Sequence, residues 1–339
     1  MTDTIEMRAE QVHALAHTCL SDNGCNEENA AAVADTVATA ERNGAKSHGL
    51  FRIPGYVAAL RSGKVNGAAE PRVEELRAAA LRVDGDGGFA PLALRRGIPE
   101  LARRAEKCGA AALAVVRAHH FAALWHETEA LAEHGLAALA CTAYMPAVAP
   151  AGARAALFGT NPISFAWPRP GREPMVFDMA TAAMAMGEVQ IAARDGKTVP
   201  PGTGLNAKGE PTTDPARIAD GGVLLPFGGY KGSALALMVE LLAAALIGER
   251  FSFEAAEADN RDGGPPRGGE FLLALSPEAL AGSGWDKHAE EFFARFDALD
   301  GARLPGARRH ARRAENVPAQ VNAALVEKIR GLCRNAPPL

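Results

Sequence analysis

Four stretches of this 339-residue chain carry side chains that can do chemistry. Ser47-His48-Gly49 sets an imidazole, which titrates near neutral pH, beside a hydroxyl able to orient it. That is the equipment of a general acid or base, although a Ser-His pair before a glycine also serves as a purely structural turn. Phe158-Gly159-Thr160-Asn161-Pro162 is a polar turn after an apolar region. Its Thr hydroxyl and backbone N–H groups can hold an oxyanion or simply reverse the chain. The third stretch is cationic: Gly228-Gly229-Tyr230-Lys231-Gly232 opens a helix, where free N–H groups favour anions and a lysine can meet a phosphate. Around Pro305-Gly306 lie Arg303, Arg308, Arg309, Arg312 and Arg313, either a further phosphate contact or a solvated helix face. His119, His120 and His126 bring no further ligand at metal spacing, so no metal is expected.

The elements that must position these groups follow from periodicity. Val12, Leu15, Ala16, Cys19 and Leu20 recur at helical spacing up to Asp22-Asn23-Gly24, and a second helix is expected from Asn26 to Arg42. Short apolar runs at 81–84, 111–116, 136–144, 175–179 and 271–275 predict strands, and Pro91 to Lys107 predicts a helix. Strands mixed with helices indicate an α/β (α+β) sheet domain over about 75–195. Residues 194–227, rich in Gly, Pro, Asp and Thr, read as a long functional loop, 233–248 as a buried helix and 255–270 as a mobile surface excursion. Gly85, Gly87 and Ala90 match the dinucleotide fingerprint, but no strand with a terminal acid follows at the usual distance. A tight turn is the better reading there.

Composition narrows the class. Lys and Arg number 36 against 40 Asp and Glu, a net charge of −4, which argues against nucleic acid as a partner. The apolar run 234–248 is too short to span a bilayer and is interrupted by Glu240, and the opening MTDTIEMRAE has no apolar export region. No membrane partner is expected. Five scattered cysteines with no CxxC pair suit free thiols in the cytoplasm.

Taken in order, Ser47-His48-Gly49, the GTNP turn at 159–162, the P-x-G-x-G-x-N-x-x-G-x-P-T run at 200–212 and the GGYKG helix entry resemble the malate/L-lactate dehydrogenase-like, non-Rossmann NAD(P)H oxidoreductases. SHGLFRIPGY (47–56), HHFAALW (119–125), LFGTNPISF (157–165), VQIAAR (189–194) and RLPGARR (303–309) look like the Δ1-piperideine-2-carboxylate/Δ1-pyrroline-2-carboxylate reductase branch. The resemblance implies a non-Rossmann, mainly antiparallel NADPH-binding sheet domain (75–195 plus 265–314), a helical domain (1–74 plus 315–339) and a loop-helix domain (196–264), working as a homodimer. It implies reduction of a cyclic imino acid with NADPH, with malate-, lactate- or ureidoglycolate-type dehydrogenation, or nucleotide binding without turnover, as the alternatives. By the same resemblance His48 is the acid/base, with Ser47 beside it and Glu188 in a relay position that relatives fill with Asp. Arg52 and Thr160 would hold the substrate. His120, Phe121, Ala122, Ala123, Leu124, Asp178, Met179, Ala180, Tyr230, Lys231, Arg303, Leu304, Pro305, Gly306, Ala307, Arg308 and Arg309 would line NADPH. Met186 and Tyr230 stand where the branch often has His.

Overall fold

The computed structural model describes residues 3–119 and 123–338. The chain opens with β1 (Thr4–Met7), α1 (Ala9–Asp22), α2 (Glu27–Arg42) and α3 (Ile53–Arg61), the last preceded by 3-10 turns at Lys46–His48 and Leu50–Arg52. There follow β2 (Arg72–Arg77), β3 (Ala80–Asp84), α4 (Ala90–Cys108), β4 (Ala110–His119), α5 (Trp125–Glu133), β5 (Ala137–Thr142), β6 (Ile163–Trp167) and β7 (Met175–Met179). Next come α6 (Met186–Arg194), β8 (Gly204–Leu205), β9 (Pro211–Thr212), α7 (Pro215–Ala219), β10 (Val223–Leu224), α8 (Tyr230–Glu240), a π turn at Leu241–Ala245, and α9 (Ser252–Glu257). The chain closes with β11 (Arg267–Leu275), α10 (Pro277–Ala281), α11 (Trp285–Asp297), α12 (Ala307–Glu315), β12 (Ala319–Asn322) and α13 (Ala323–Arg330).

The first two helices form where the spacing predicts them. Val12, Leu15, Ala16, Cys19 and Leu20 are fully buried along one stripe of α1, and the Asn26 side chain caps α2 by accepting from the Asn29 N–H at 3.0 Å. They share a core with α3 and α13, and β1 pairs antiparallel with β12, so the two ends of the chain close this unit. Each fully buried Leu or Val there contributes roughly 1.5–3 kcal/mol, against about 0–1 for a surface ion pair, so apolar packing holds the unit.

Among the described residues seven strands form one sheet in the order β2-β3-β4-β11-β5-β6-β7. Only β3–β4 is parallel; the other neighbouring pairs are antiparallel, which is the mainly antiparallel, non-Rossmann sheet that the resemblance implies. Side chains alternate between its faces: Leu113, Val115, Ala138, Ala140, Leu272 and Ala274 pack under α4 and α5, whereas Ala114, Val116, Cys141, Ile163 and Phe271 pack under α8 and its π turn. The glycine turn at 85–88 joins β3 to α4, but its glycines answer to packing. A Cβ on Gly85 would sit 2.9 Å from Ala118 Cβ, and one on Gly88 would collide with Ala69 Cβ.

The excursion expected over 255–270 is ordered differently from its composition. It holds the end of α9, a turn at 259–264 and the start of β11. Lys64 Nζ reaches Asp259 at 2.9 Å and Asp262 at 2.5 Å, with all three side chains 10% exposed or less. Losing one partner of such a buried set typically costs about 3–5 kcal/mol, so the turn is fastened and not a loose loop. No helix among the described residues is long and apolar enough to cross a membrane.

Candidate active site

Two cavities, of about 840 and 630 Å³, meet along a wall made by His48, Thr160, Pro162 and Ala185. Both lie in the usual size range of small-molecule sites. His48 sits on the 3-10 turn between α2 and α3, where its N–H donates to the Ala45 carbonyl at 2.8 Å. Glu41, buried on α2, accepts the Leu50 N–H at 2.9 Å, and a Cβ on Gly49 would collide with its carboxylate. Burial pushes Glu41 up to about 7, against the pull of the Leu50 N–H, Lys46 and Arg312. Ser47 Oγ lies 3.0 Å from His48 Nδ1, so the hydroxyl and the ring share one proton position and fix the ring's orientation.

Arg52 precedes α3 and lines the smaller cavity; its Nε is buried. Burial lowers its pKa while the Tyr144 and Tyr56 phenols act the other way, and the guanidinium lies 5.5 Å from the Phe51 ring centre. It remains charged, since guanidinium stays protonated in proteins. Gly187 makes room for it: a Cβ there would stand 3.1 Å from both Arg52 Nη2 and Ser47 Cβ. The first turn of α6 therefore touches the catalytic candidates and brings Glu188, exposed, into the larger cavity. Among the described residues the Glu188 carboxylate makes no hydrogen bond to His48, whose Nδ1 faces Ser47.

Thr160 is presented by a buried polar bracket. Asn161, fully buried at φ +38°, donates to Glu240 Oε1 at 2.8 Å and to the Ala236 carbonyl at 3.1 Å. Glu240 also takes the Ser252 N–H at 3.0 Å and its hydroxyl, and Ser252 Oγ accepts from the Gly159 N–H at 3.0 Å. The Thr160 carbonyl accepts from the Thr181 N–H and hydroxyl, leaving the Thr160 side chain at the junction of the cavities.

The larger cavity is lined by Ala123, Leu124, Asp178, Met179 and Ala180 on one side and by Arg303, Leu304, Pro305, Gly306, Arg308, Arg309 and Arg312 on the other. Asp178 accepts the Trp125 N–H at 3.0 Å and the Leu124 N–H, tying α5 to β7; burial pushes it up to about 6, opposed by these bonds and by Arg309. Burial likewise raises Glu127 to about 8, with the Asp178 charge adding. Arg309 and Arg313 lie 4.7 and 5.3 Å over the Trp125 ring. Arg313 grips Glu129 at 2.8 and 2.5 Å, which docks α12 against α5. Arg309 Nε and Nη2 are buried without a hydrogen-bond partner among the described residues, an arrangement that suits an anionic ligand.

Some expected residues lie elsewhere. His120, Phe121 and Ala122 fall outside the described residues. Ala307, Tyr230 and Lys231 line neither cavity, and Tyr230 is 72% exposed at the start of α8. The sequence analysis does not single out Glu41 or Ser252, holds Trp125 only as the end of the HHFAALW stretch, and takes Glu240 only as a break in an apolar run. A lone acid in an apolar helix is a signal that Glu240 carries, whereas Glu41 shares α2 with Glu27, Glu28 and Asp35 and has no such mark.

Comparison with known proteins agrees with this fold. Residues 7–330 match the malate/L-lactate dehydrogenase family model. A Δ1-pyrroline-2-carboxylate/Δ1-piperideine-2-carboxylate reductase from Pseudomonas putida is 45% identical over 323 residues, covering 95% of this chain and 94% of the relative. The enzyme of the same name from Pseudomonas aeruginosa is 47% identical over 307 residues, 90% of this chain and 92% of its own. The crystal structure of Δ1-piperideine-2-carboxylate reductase from Pseudomonas syringae superposes with a TM-score of 0.91 at 44% identity, over 97% of this chain and 100% of that one. With the match spanning nearly every element described above, the chain belongs to the malate/L-lactate dehydrogenase family.

Proposed function

We propose that this protein reduces cyclic imino acids, Δ1-piperideine-2-carboxylate to L-pipecolate and Δ1-pyrroline-2-carboxylate to L-proline, with NADPH. The observation that carries the reading is the meeting of two cavities, one rimmed by arginines and one holding Arg52, at a single histidine. The names of relatives at 45–47% identity support the substrate class. Membership of a dehydrogenase family implies a nicotinamide cofactor. The preference for NADPH over NADH is supported by Arg303, Arg308, Arg309 and Arg312 on one rim, with the buried, unpartnered nitrogens of Arg309 among them.

When bound, NADPH supplies the hydride that adds to C2 of the C=N bond. The chain's own residues orient and protonate. The Arg52 fork suits a planar carboxylate, and the Thr160 hydroxyl can donate to the same group, which would hold C2 toward the larger cavity. With Ser47 Oγ accepting from Nδ1–H, protonated His48 carries its second proton on Nε2, can deliver that proton to the imine nitrogen and is left as the neutral imidazole. Hydride plus proton then balance the conversion of C=N to CH–NH. Glu188, in the same cavity, adds negative charge near the imidazolium side of that equilibrium.

Exposed Tyr230, Leu237, Leu241 and Leu246 on α8 and just beyond it support a homodimer that covers this face. The free thiols of Cys19, Cys25, Cys108, Cys141 and Cys333 support a cytoplasmic setting, where thiols stay reduced.

The test is NADPH oxidation at 340 nm with Δ1-piperideine-2-carboxylate, Δ1-pyrroline-2-carboxylate, pyruvate and oxaloacetate side by side. Turnover of the imines well above the oxo acids is expected. Turnover of the oxo acids alone would replace this reading with hydroxy-acid dehydrogenation.

A further inference from the structure

The smaller cavity holds a second arginine that the reaction above does not use. Arg261 lines it together with Arg52, and among the described residues its guanidinium has no hydrogen-bond or ion-pair partner. The wall also carries an acid, Asp259, but that carboxylate is already engaged: one oxygen binds Lys64 Nζ at 2.9 Å and the other accepts the Arg261 N–H at 2.9 Å. The cavity thus presents two guanidinium groups, Arg52 inset and Arg261 exposed, while the carboxylate on its wall is taken up by Lys64 and the Arg261 N–H.

The position of Arg261 is built. Its φ of +59° is a left-handed conformation that an arginine rarely adopts, and the surroundings impose it. Asp259 holds its N–H, and Asp262 binds Lys64 and accepts the Gly264 N–H at 2.7 Å. The turn also lies directly on α3. A Cβ on Gly55 would stand 2.8 Å from the Gly263 carbonyl, and one on Gly264 would stand 2.6 Å from Ala59 Cβ. Since Arg52 is the residue that leads into α3, the backbones carrying the two arginines are fixed against each other. Phe51, Met145, Pro146 and Met186 line the same cavity and offer apolar surface for ring carbons.

We propose that Arg261 is a second anion-binding residue of the substrate cavity, and that the enzyme takes cyclic imino acids bearing a second carboxylate in preference to the monocarboxylates. The proposal rests on the imino-acid reading for the ring and on Arg52 for the first carboxylate. Hydride and proton go to the same C=N bond, so the redox balance is unchanged.

Binding of planar ring analogues tests it without requiring turnover. Pyridine-2-carboxylate and its 2,4-, 2,5- and 2,6-dicarboxylate relatives are titrated into the enzyme with saturating NADP+ and EDTA, and again into Arg261→Gln. At least one dicarboxylate is expected to bind wild type about tenfold more tightly than the monocarboxylate, as a charge-assisted hydrogen bond would give. Arg261→Gln should abolish that gain and leave the monocarboxylate within about twofold of wild type. A dicarboxylate gain absent from wild type, or one that survives the substitution, overturns the proposal. Because the guanidinium has no partner to lose, the variant should melt with wild type, and a melting shift would assign Arg261 a structural role instead. Failure of the imine assay above would remove the imino-acid reading, whereas this titration reads the second anion site on its own.

Discussion

The two cavities handle charge in opposite ways. On the larger one the cations sit on a rim: Arg303 and Arg308 are exposed, and Arg309 and Arg312 half-buried. On the smaller one Arg52 is set deep, with its Nε buried, against phenols and a phenyl ring. A rim charge faces water and is screened by salt, so it recognises phosphate at modest strength and tolerates rearrangement. A charge in low dielectric acts more strongly and from one direction, which is what aiming a single carbon requires. On the proposed reading the site separates grip from aim, with His48 on the wall that both cavities share.

The sharpest break of that comparison removes the shared residue. His48→Ala should lower kcat by about 10²–10⁴-fold, the usual worth of a positioned acid/base, while NADPH affinity stays within about twofold. Stopped-flow turnover with fluorescence titration of NADPH reads both, and unchanged turnover would take His48 out of the chemistry.

Next in size is Glu41 beneath the His48 turn. Burial holds its folded-state pKa at about 7, well above the ordinary carboxylate value of 4.5. The folded protein then binds more protons than the unfolded chain between those values, so this group's contribution to stability falls as pH rises through about 7. Glu41→Gln keeps an acceptor for the Leu50 N–H without the charge. The stability of wild type relative to the variant should drop by about 3 kcal/mol between pH 4.5 and pH 8 in urea melts. A difference that stays flat with pH would mean that Glu41 is ionised in the fold throughout.

How far the sequence reveals this arrangement depends on the range of the physics involved. α1, α2 and α4 are legible because apolar spacing, an Asn cap and a Pro start act within a few residues. Strands β4, β5 and β11 show as apolar runs because the sheet buries them on both faces, and the edge strand β7 shows by its apolar residues although Val176 alone of them is fully buried. β2 does not show: every residue of RVEELR is exposed, so the edge strand has no alternation to read. The pairing of β1 with β12 joins the two ends of the chain, and no local pattern encodes it. The same limit governs the site. Ser47, His48 and Gly49 are contiguous, whereas the Glu41, Glu240–Ser252 and Lys64–Asp259 contacts are closed by folding. Gly- and Pro-rich composition suggested mobility at 255–270, and a buried ion pair 195 residues apart in sequence outweighs it.

The two sides can be separated by one variant each. Arg52→Lys keeps the charge but loses the planar fork, so the KM for the imino acid should rise about tenfold with the NADPH KM unchanged. An unaltered substrate KM would place the carboxylate elsewhere. The smallest effect belongs to the rim. Arg308→Ala with Arg309→Ala should narrow the NADPH-over-NADH preference by several-fold, leave the imino-acid KM alone, and make the NADPH KM less sensitive to salt between about 50 and 200 mM. The salt dependence discriminates best. Exposed rim cations such as Arg308 lose strength as the Debye length shortens, whereas the inset Arg52 grip should barely change over the same range. If the substrate KM proved the more salt-sensitive of the two, the division between a gripping rim and an aiming interior would be wrong, and the carboxylate would bind at an exposed cation.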